Sequence, residues 1–368
     1  MMSDVTQIDV AIIGGGIAGL MLGNEVTRRF PKLHTFVFEK EQYLADHTTG
    51  RNSGVLHSGL YYPQNSLKHR LCLEGNELWE SLGREQNFTV QKCGKFIFCS
   101  NLAEFEGLEK LKEQAKKNSV PGVRWATANE KKTLQAYANI HDAIFVPSTG
   151  FIDVPSAISA LERAILINGG NILKNNQVSK IGRDNQGIIL ETRDGSISTK
   201  ILINAAGLWS VALGKQIWQN GLEDYTVKGS YLKYSGDFYR ESFIYPCPLS
   251  NLKGLGVHST FDVSGAIKFG PNVEDVSTID YALNLPLLEQ MKTEITRYYP
   301  HVGLEQLSPD YCGIRSKIRS KGQLYPDFWI KGPAETKVPG YVEICGYESP
   351  GLTAAPAMAR LVVSLLEI

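Results

Sequence analysis

The stretch IDVAIIGGGIAGL, Ile8–Leu20, decides the fold. IDVAII (Ile8–Ile13) is an apolar run too short for a helix, and it stops at Gly14-Gly15-Gly16, as a buried parallel strand would. Gly14, Gly16 and Gly19 supply the G-x-G-x-x-G spacing: one glycine for the tight turn, one for close approach of a pyrophosphate, one for helix–strand packing. A helix that starts here offers free N–H groups and its positive dipole end to a phosphate. HTFVFE (His34–Glu39) reads as the next strand, and Glu39 stands 20 residues after Gly19, where an acceptor for ribose hydroxyls belongs. Strand, turn, helix, strand and acid agree on an α/β dinucleotide-binding unit of Rossmann type. Glu39 disfavours a 2′-phosphate.

The rest of the composition narrows the class. A chain of 368 residues exceeds what one core usually organises, so two domains are expected. Lys+Arg and Asp+Glu both total 38, leaving no net field to draw in nucleic acid or an anionic membrane. Six cysteines (Cys72, Cys93, Cys99, Cys247, Cys312, Cys345) are scattered without a C-x-x-C, which points to free thiols and neither zinc nor a disulfide framework. Asp4 and Asp9 before the first apolar run argue against a secretory signal. The uncharged stretch Val10–Asn24 is broken by glycines and too short to span a bilayer. A cytoplasmic protein is expected, with peripheral membrane contact and oligomeric state left open.

Beyond Glu39, a polar glycine-bearing loop, His47–Ser66, has no helical or strand period, and long loops of this kind are usually functional. Ser66 then caps a helix carrying Leu67, Leu71, Leu78 and Leu82. A helix over about 103–118 and one opened by Pro155 follow. Short strands at Gln177–Ile181, Gly187–Arg193 and Ser196–Asn204 come next, the last two joined by an Asp194-Gly195 turn. From Tyr225 to Gly270 aromatic strands predict a mostly antiparallel sheet, beside a helix over about Leu285–Tyr299. YVEICGY (Tyr341–Tyr347) leads through Ser349-Pro350-Gly351 into a final helix from about Ala354. Dinucleotide elements are thus expected at 1–85, 150–222 and 309–368, and an inserted substrate domain at 86–149 and 223–308.

Four stretches, Thr49–Cys72 (TGRNSGVLHSGLYYPQNSLKHRLC), Cys93–Phe98 (CGKFIF), Ile244–Asn272 and Ser349–Ala359 (SPGLTAAPAMA), together with the N-terminal glycine turn, resemble the glycine/D-amino-acid oxidase superfamily of FAD enzymes. Within it they are most similar to the L-2-hydroxyglutarate dehydrogenase/oxidase family. Two departures fall in the substrate domain. Lys228-Gly229-Ser230-Tyr231 stands where that family has an arginine before Gly-acid-Tyr, and acidic Val273-Glu274-Asp275 replaces a basic stretch. The resemblance implies a Rossmann-like FAD-binding domain of the glutathione-reductase type with the antiparallel substrate domain inserted. It also implies non-covalent FAD and oxidation of a 2-hydroxy dicarboxylate, with electrons passed to oxygen, a quinone or another acceptor. Lys40, Thr49, Arg51, Asn52 and Ser53 are implied on the diphosphate and flavin side. Val178 is implied near adenine, and Ala206-Gly207 beneath the dinucleotide. Ile17 and Ala18 sit between the fingerprint glycines, and Gly351, Leu352 and Thr353 open a helix whose N–H groups would face the flavin.

Oxidising a hydroxyl carbon needs a base for the hydroxyl proton while the flavin takes the hydride. His57, in the flavin-side loop, is the first candidate, titrating between about pH 6 and 8 if unperturbed, and His258 is the second. Carboxylate anchors must be cationic or hydroxylic. Arg315 is the best bidentate candidate, with Lys228, Tyr61, Tyr62, Tyr231 and Tyr245 as further donors. No metal is expected. An amino-acid, N-methylamine or glycerol 3-phosphate oxidase of the same fold, and a non-catalytic binding protein, remain as alternatives.

Overall fold

The computed structural model describes residues 6–184, 187–248 and 257–366. Residues 185–186, where the sequence offers Asn185-Gln186-Gly187 as the connection between the first two of the expected short strands, and residues 249–256 of the family-like stretch lie outside the described residues. Strand Thr6–Ile13 pairs in parallel with Thr35–Phe38 on one side and with Gly195–Asn204 on the other. Asn171–Leu173 and Tyr341–Cys345 extend the parallel sheet at either side. Val10 and Ile12 pack against the helices Ile17–Arg29, Val154–Ile167 and Gly351–Leu365. Ala11 and Ile13 pack against the antiparallel hairpin Val178–Arg183/Ile188–Thr192. Burial on both faces is why this strand reads as an unbroken apolar run.

The glycine turn is forced by contact. Gly14 has φ +110°, and a Cβ there would fall 2.5 Å from the Ala205 carbonyl oxygen; one on Gly19 would fall 1.9 Å from the Gly14 oxygen. Helix Leu67–Gln86 starts as expected at Ser66, whose hydroxyl accepts the His69 N–H at 3.1 Å. Asp327 accepts the Leu67 and Lys68 N–H groups at 2.7 and 2.8 Å, satisfying two more free donors of the first turn.

The last helix, Gly351–Leu365, begins before Ala354 and contains Pro356. Pro356 has no N–H for the Leu352 carbonyl one turn back. Trp79, wholly buried on helix Leu67–Gln86, supplies the missing donor, its Nε1 lying 2.9 Å from Leu352 O. The two helices come together at Gly75, where a Cβ would lie 2.1 Å from Thr353 O.

A ten-stranded, mostly antiparallel sheet forms the second layer system, with one parallel pair, Phe243–Pro246 against Lys95–Cys99. Its core is aromatic: Phe96, Phe98, Phe238, Phe269, Tyr298 and Tyr299 pack with Leu288, Met291 and Ile295 of helix Leu285–Tyr298. Strand Leu222–Tyr234 pairs with Leu307–Ser320 along its whole length. That pairing differs from the division expected at 309, since the strand is held by a partner far earlier in the chain that local pattern does not encode. Gly150–Ile152 pairs with Val55–Leu56 and Val90–Gln91 in a small third sheet between the two. All six cysteines are free thiols. No described helix is long and apolar enough to cross a membrane.

Candidate active site

A cavity of about 870 Å³ opens where the parallel sheet's strand ends meet the second sheet. One part is built from the glycine turn. Gly16 is the N-cap of helix Ile17–Arg29 and has no side chain to occupy the free N–H groups. A Cβ on it would meet only Thr49 Oγ1, at 3.0 Å. That hydroxyl accepts the Ile17 N–H at 3.0 Å, and Ile17 and Ala18 form wall beside it. Glu39 accepts from Gly15 N at 2.7 Å and Glu41 N at 2.8 Å, which fixes its carboxylate at the cavity with lone pairs left for a ribose.

Lys40 lies 2.5 Å from Glu41 Oε1 and 3.7 Å above the Trp209 ring, so it is held at the wall by protein groups. Val178, Ala206 and Gly207 continue the lining, and a Cβ on Gly207 would meet nothing within 4 Å. Gly351 and Leu352 close it from the last helix.

The loop from His47 is clamped by the second sheet. Thr48 Oγ1 donates to Ile314 O at 3.1 Å, Tyr311 OH donates to Asn52 O at 2.7 Å, and Arg51 stacks 4.1 Å over Tyr281. Asn52 spends its side chain on the loop itself, donating to Thr49 O and accepting from Gly54 N. Arg51, Asn52 and Ser53 all reach the cavity. Gly19 and Thr353 do not line it. Gly19 serves helix packing, and Thr353 Oγ1 accepts the His57 N–H at 2.9 Å, holding a neighbour in place. A helix N-terminus whose cap residue has no side chain, a ribose acceptor and open walls at Gly16 and Gly207 fit the FAD that the resemblance implies.

The remaining part of the cavity carries the candidate chemistry. His57, Tyr61, Tyr62, Tyr231, His258 and Arg315 all line it. His57 Nε2 stands 3.4 Å from Ser349 Oγ, and its carbonyl accepts from Asn76 at 2.9 Å. Burial, then the nearby Lys95 charge, pushes the imidazole down to about 3, with Glu348 pulling the other way. The expected titration between pH 6 and 8 is therefore corrected: in the free protein His57 is neutral throughout that window.

His258 is buried and stacked 3.9 Å on the Tyr245 ring. Tyr245 itself stands behind the wall, its buried hydroxyl without a hydrogen-bond partner among the described residues. Arg315 makes no ion pair or hydrogen bond among the described residues, so its fork is available to an anion. Lys228 is displaced from the expected anchor role. It donates to Ala282 O at 2.9 Å and sits 3.9 Å from Asp280, outside the lining.

Sequence reasoning missed three features. Glu348, buried at the cavity, pairs with Lys68 and, at 3.2 Å, with Lys317. Lys95 is entirely buried in an otherwise apolar strand. Glu41, Asp46 and His47 cluster closely, although Lys40 already neutralises Glu41. The CGKFIF motif carried a signal for the second, since a lysine amid apolar strand positions is costly to bury.

The FAD dependent oxidoreductase family model matches residues 9–365. An L-2-hydroxyglutarate dehydrogenase from Indibacter alkaliphilus is 35% identical over 270 residues, covering 72% of this chain and 68% of that protein. A mitochondrial L-2-hydroxyglutarate dehydrogenase of Arabidopsis thaliana is 30% identical over 96% of this chain and 82% of its own length. Among solved structures, dithionite-reduced L-α-glycerophosphate oxidase from Mycoplasma pneumoniae with FAD bound superposes at TM-score 0.87 with 26% identity, covering 99% of this chain and 96% of that one. Glycine oxidase from Geobacillus kaustophilus, 20% identical with TM-score 0.83 over 99% and 95% of the two chains, shares the fold. With the cofactor half of the cavity as described and the match running nearly end to end, this chain belongs to the family of FAD-dependent oxidoreductases.

Proposed function

We propose that the protein oxidises L-2-hydroxyglutarate to 2-oxoglutarate. The observation that carries the reading is the Arg315 guanidinium, without an ion pair or hydrogen bond among the described residues, in the same cavity as two histidines. A planar fork receives a carboxylate bidentately. The names of the relatives support the same substrate. Bound FAD supplies the hydride acceptor for the substrate carbon.

The chain's own residues orient the carboxylates, exclude water and take the hydroxyl proton. His57 is unprotonated before substrate binds, which a base requires. A bound dianion then favours the imidazolium by adding opposite charge in a dry site, raising the basicity when it is needed. His258, stacked on Tyr245 and lining the same cavity, would hold the substrate oxygen.

The test is anaerobic titration of the FAD-loaded protein with each enantiomer of 2-hydroxyglutarate, followed by loss of flavin absorbance. Bleaching by the L enantiomer is expected. The likeness to a glycerophosphate oxidase favours glycerol 3-phosphate as the second reading, and bleaching by that compound alone would replace the first. The electron acceptor, whether oxygen, a quinone or another carrier, is read from which of them restores the absorbance.

A further inference from the structure

Lys95 opens strand Lys95–Cys99, all five residues of which are buried, and its own exposure is 0%. No carboxylate pairs with it among the described residues. Its ammonium lies 4.7 Å from the ring centres of both Tyr61 and Tyr245, and its one polar side-chain contact among the described residues is Tyr61 OH at 3.5 Å. In its protonated form, the one that prevails below about pH 7, Lys95 has donors only, so the Tyr61 oxygen accepts. The Tyr61 hydroxyl hydrogen then points away from Lys95. Tyr61 has no other hydrogen-bond partner among the described residues and lines the cavity.

We infer that Lys95 is a positioning residue for substrate: by occupying the Tyr61 oxygen from behind, it makes that hydroxyl a donor aimed into the cavity, at an anionic group. This deepens the dicarboxylate reading and rests on it. Arg315 would then take one carboxylate and the Tyr61 hydroxyl, backed by a buried positive charge, the other. The charge acts strongly because little water screens it. A side chain kept only for packing would not need a charge there, since an apolar residue of the same length avoids the desolvation cost.

The test is a double-mutant cycle on the FAD-loaded protein, with K95M, Y61F and K95M/Y61F, using 2-oxoglutarate as the probe in calorimetric titration and thermal unfolding as the second readout. Each single variant is expected to bind about tenfold or more weakly, the scale of one hydrogen bond to a charged group. The double variant should be no worse than the weaker single one, because both remove the same device. K95M should keep its flavin and unfold at the same or a higher temperature. Additive losses, or unchanged affinity in Y61F, would overturn the inference whatever K95M does. A K95M protein that loses flavin or unfolds at a lower temperature would assign Lys95 to the fold and overturn it too. Wild-type protein that binds no dicarboxylate would overturn it together with the substrate reading, whereas wild-type binding left intact by both substitutions overturns this inference alone.

Discussion

His57 has its backbone fixed by Thr353 and Asn76 and its ring at the cavity wall, so its substitution tests chemistry apart from folding. His57→Gln keeps size and hydrogen bonding but cannot take the proton. Flavin reduction in stopped flow should slow at least about 100-fold, the low end for loss of a general base, with FAD content unchanged. Near-normal reduction would transfer the role to His258.

The pH profile follows from two buried groups. Since His57 is held at about 3, kcat/KM should show no inflection from it between about pH 5 and 8. Lys95 is lowered by burial to about 7, so its charge fades as pH rises through that value, and kcat/KM for a dianion should decline there. The stability sign is opposite. Between about 7 and the usual 10.5 the unfolded chain binds the extra proton, so Lys95's contribution to stability rises with pH. K95M should abolish both trends. At Arg315, replacement by Lys keeps charge and loses the fork, so KM for the dicarboxylate should rise with flavin binding intact. Loop position pointed to His57 and residue type to Arg315, which lies in strand Leu307–Ser320, and both line the cavity. Lys228 was misplaced because its partners, Ala282 and Asp280, come from a segment more than fifty residues on, which spacing does not reveal.

Elements that carry their own stop signals were legible. The Ser66 cap and the Pro155 helix start rest on contacts within a few residues, and the parallel strand and its glycine turn announce themselves by an apolar run and by glycine spacing even though their partners lie far along the chain. Strand Leu307–Ser320 was not, because its membership is decided by its register with Leu222–Tyr234. It is also the strand that bears Arg315 and clamps the flavin-side loop, since a Cβ on Gly313 would lie 1.9 Å from Arg51 O. The glycine turn gives the clearest test at this scale. Gly16 has φ −85°, which any residue adopts, so Gly16→Val introduces no backbone strain and places its side chain at Thr49 and the helix N-terminus. The variant should fold and be purified mostly without flavin, as judged by the ratio of visible to ultraviolet absorbance. Full flavin content would move the phosphate site elsewhere. Gly19→Ala acts differently: its Cβ would collide with Gly14 O, so the helix itself must shift and thermal stability should fall.

At the scale of the whole molecule, the two sheets are tied at the cavity by an ionic triad. Glu348 sits just ahead of the last helix, Lys68 starts helix Leu67–Gln86, and Lys317 lies in the long strand of the second sheet. Glu348 and Lys68 are 8% and 7% exposed, so neither charge can be left to water. Burial alone would raise the Glu348 carboxyl, but Lys68 and Lys317 outweigh it and hold the group below its usual 4.5. A depressed carboxyl contributes stability that is present above the unfolded value and lost as pH falls through the folded one. The triad should therefore support the fold at neutral pH and fail in acid, below about 4.5.

Glu348→Gln keeps the shape and leaves Lys68 buried without a counter-charge, which should cost about 3–5 kcal/mol in denaturant unfolding. Lys68→Met in the same chain removes the stranded ammonium. The double variant should recover much of that loss, because an apolar replacement of a buried pair is often close to neutral. If the double variant were as unstable as Glu348→Gln alone, the triad's role would lie in the Lys317 contact, and Lys317→Met should then reproduce the loss by itself.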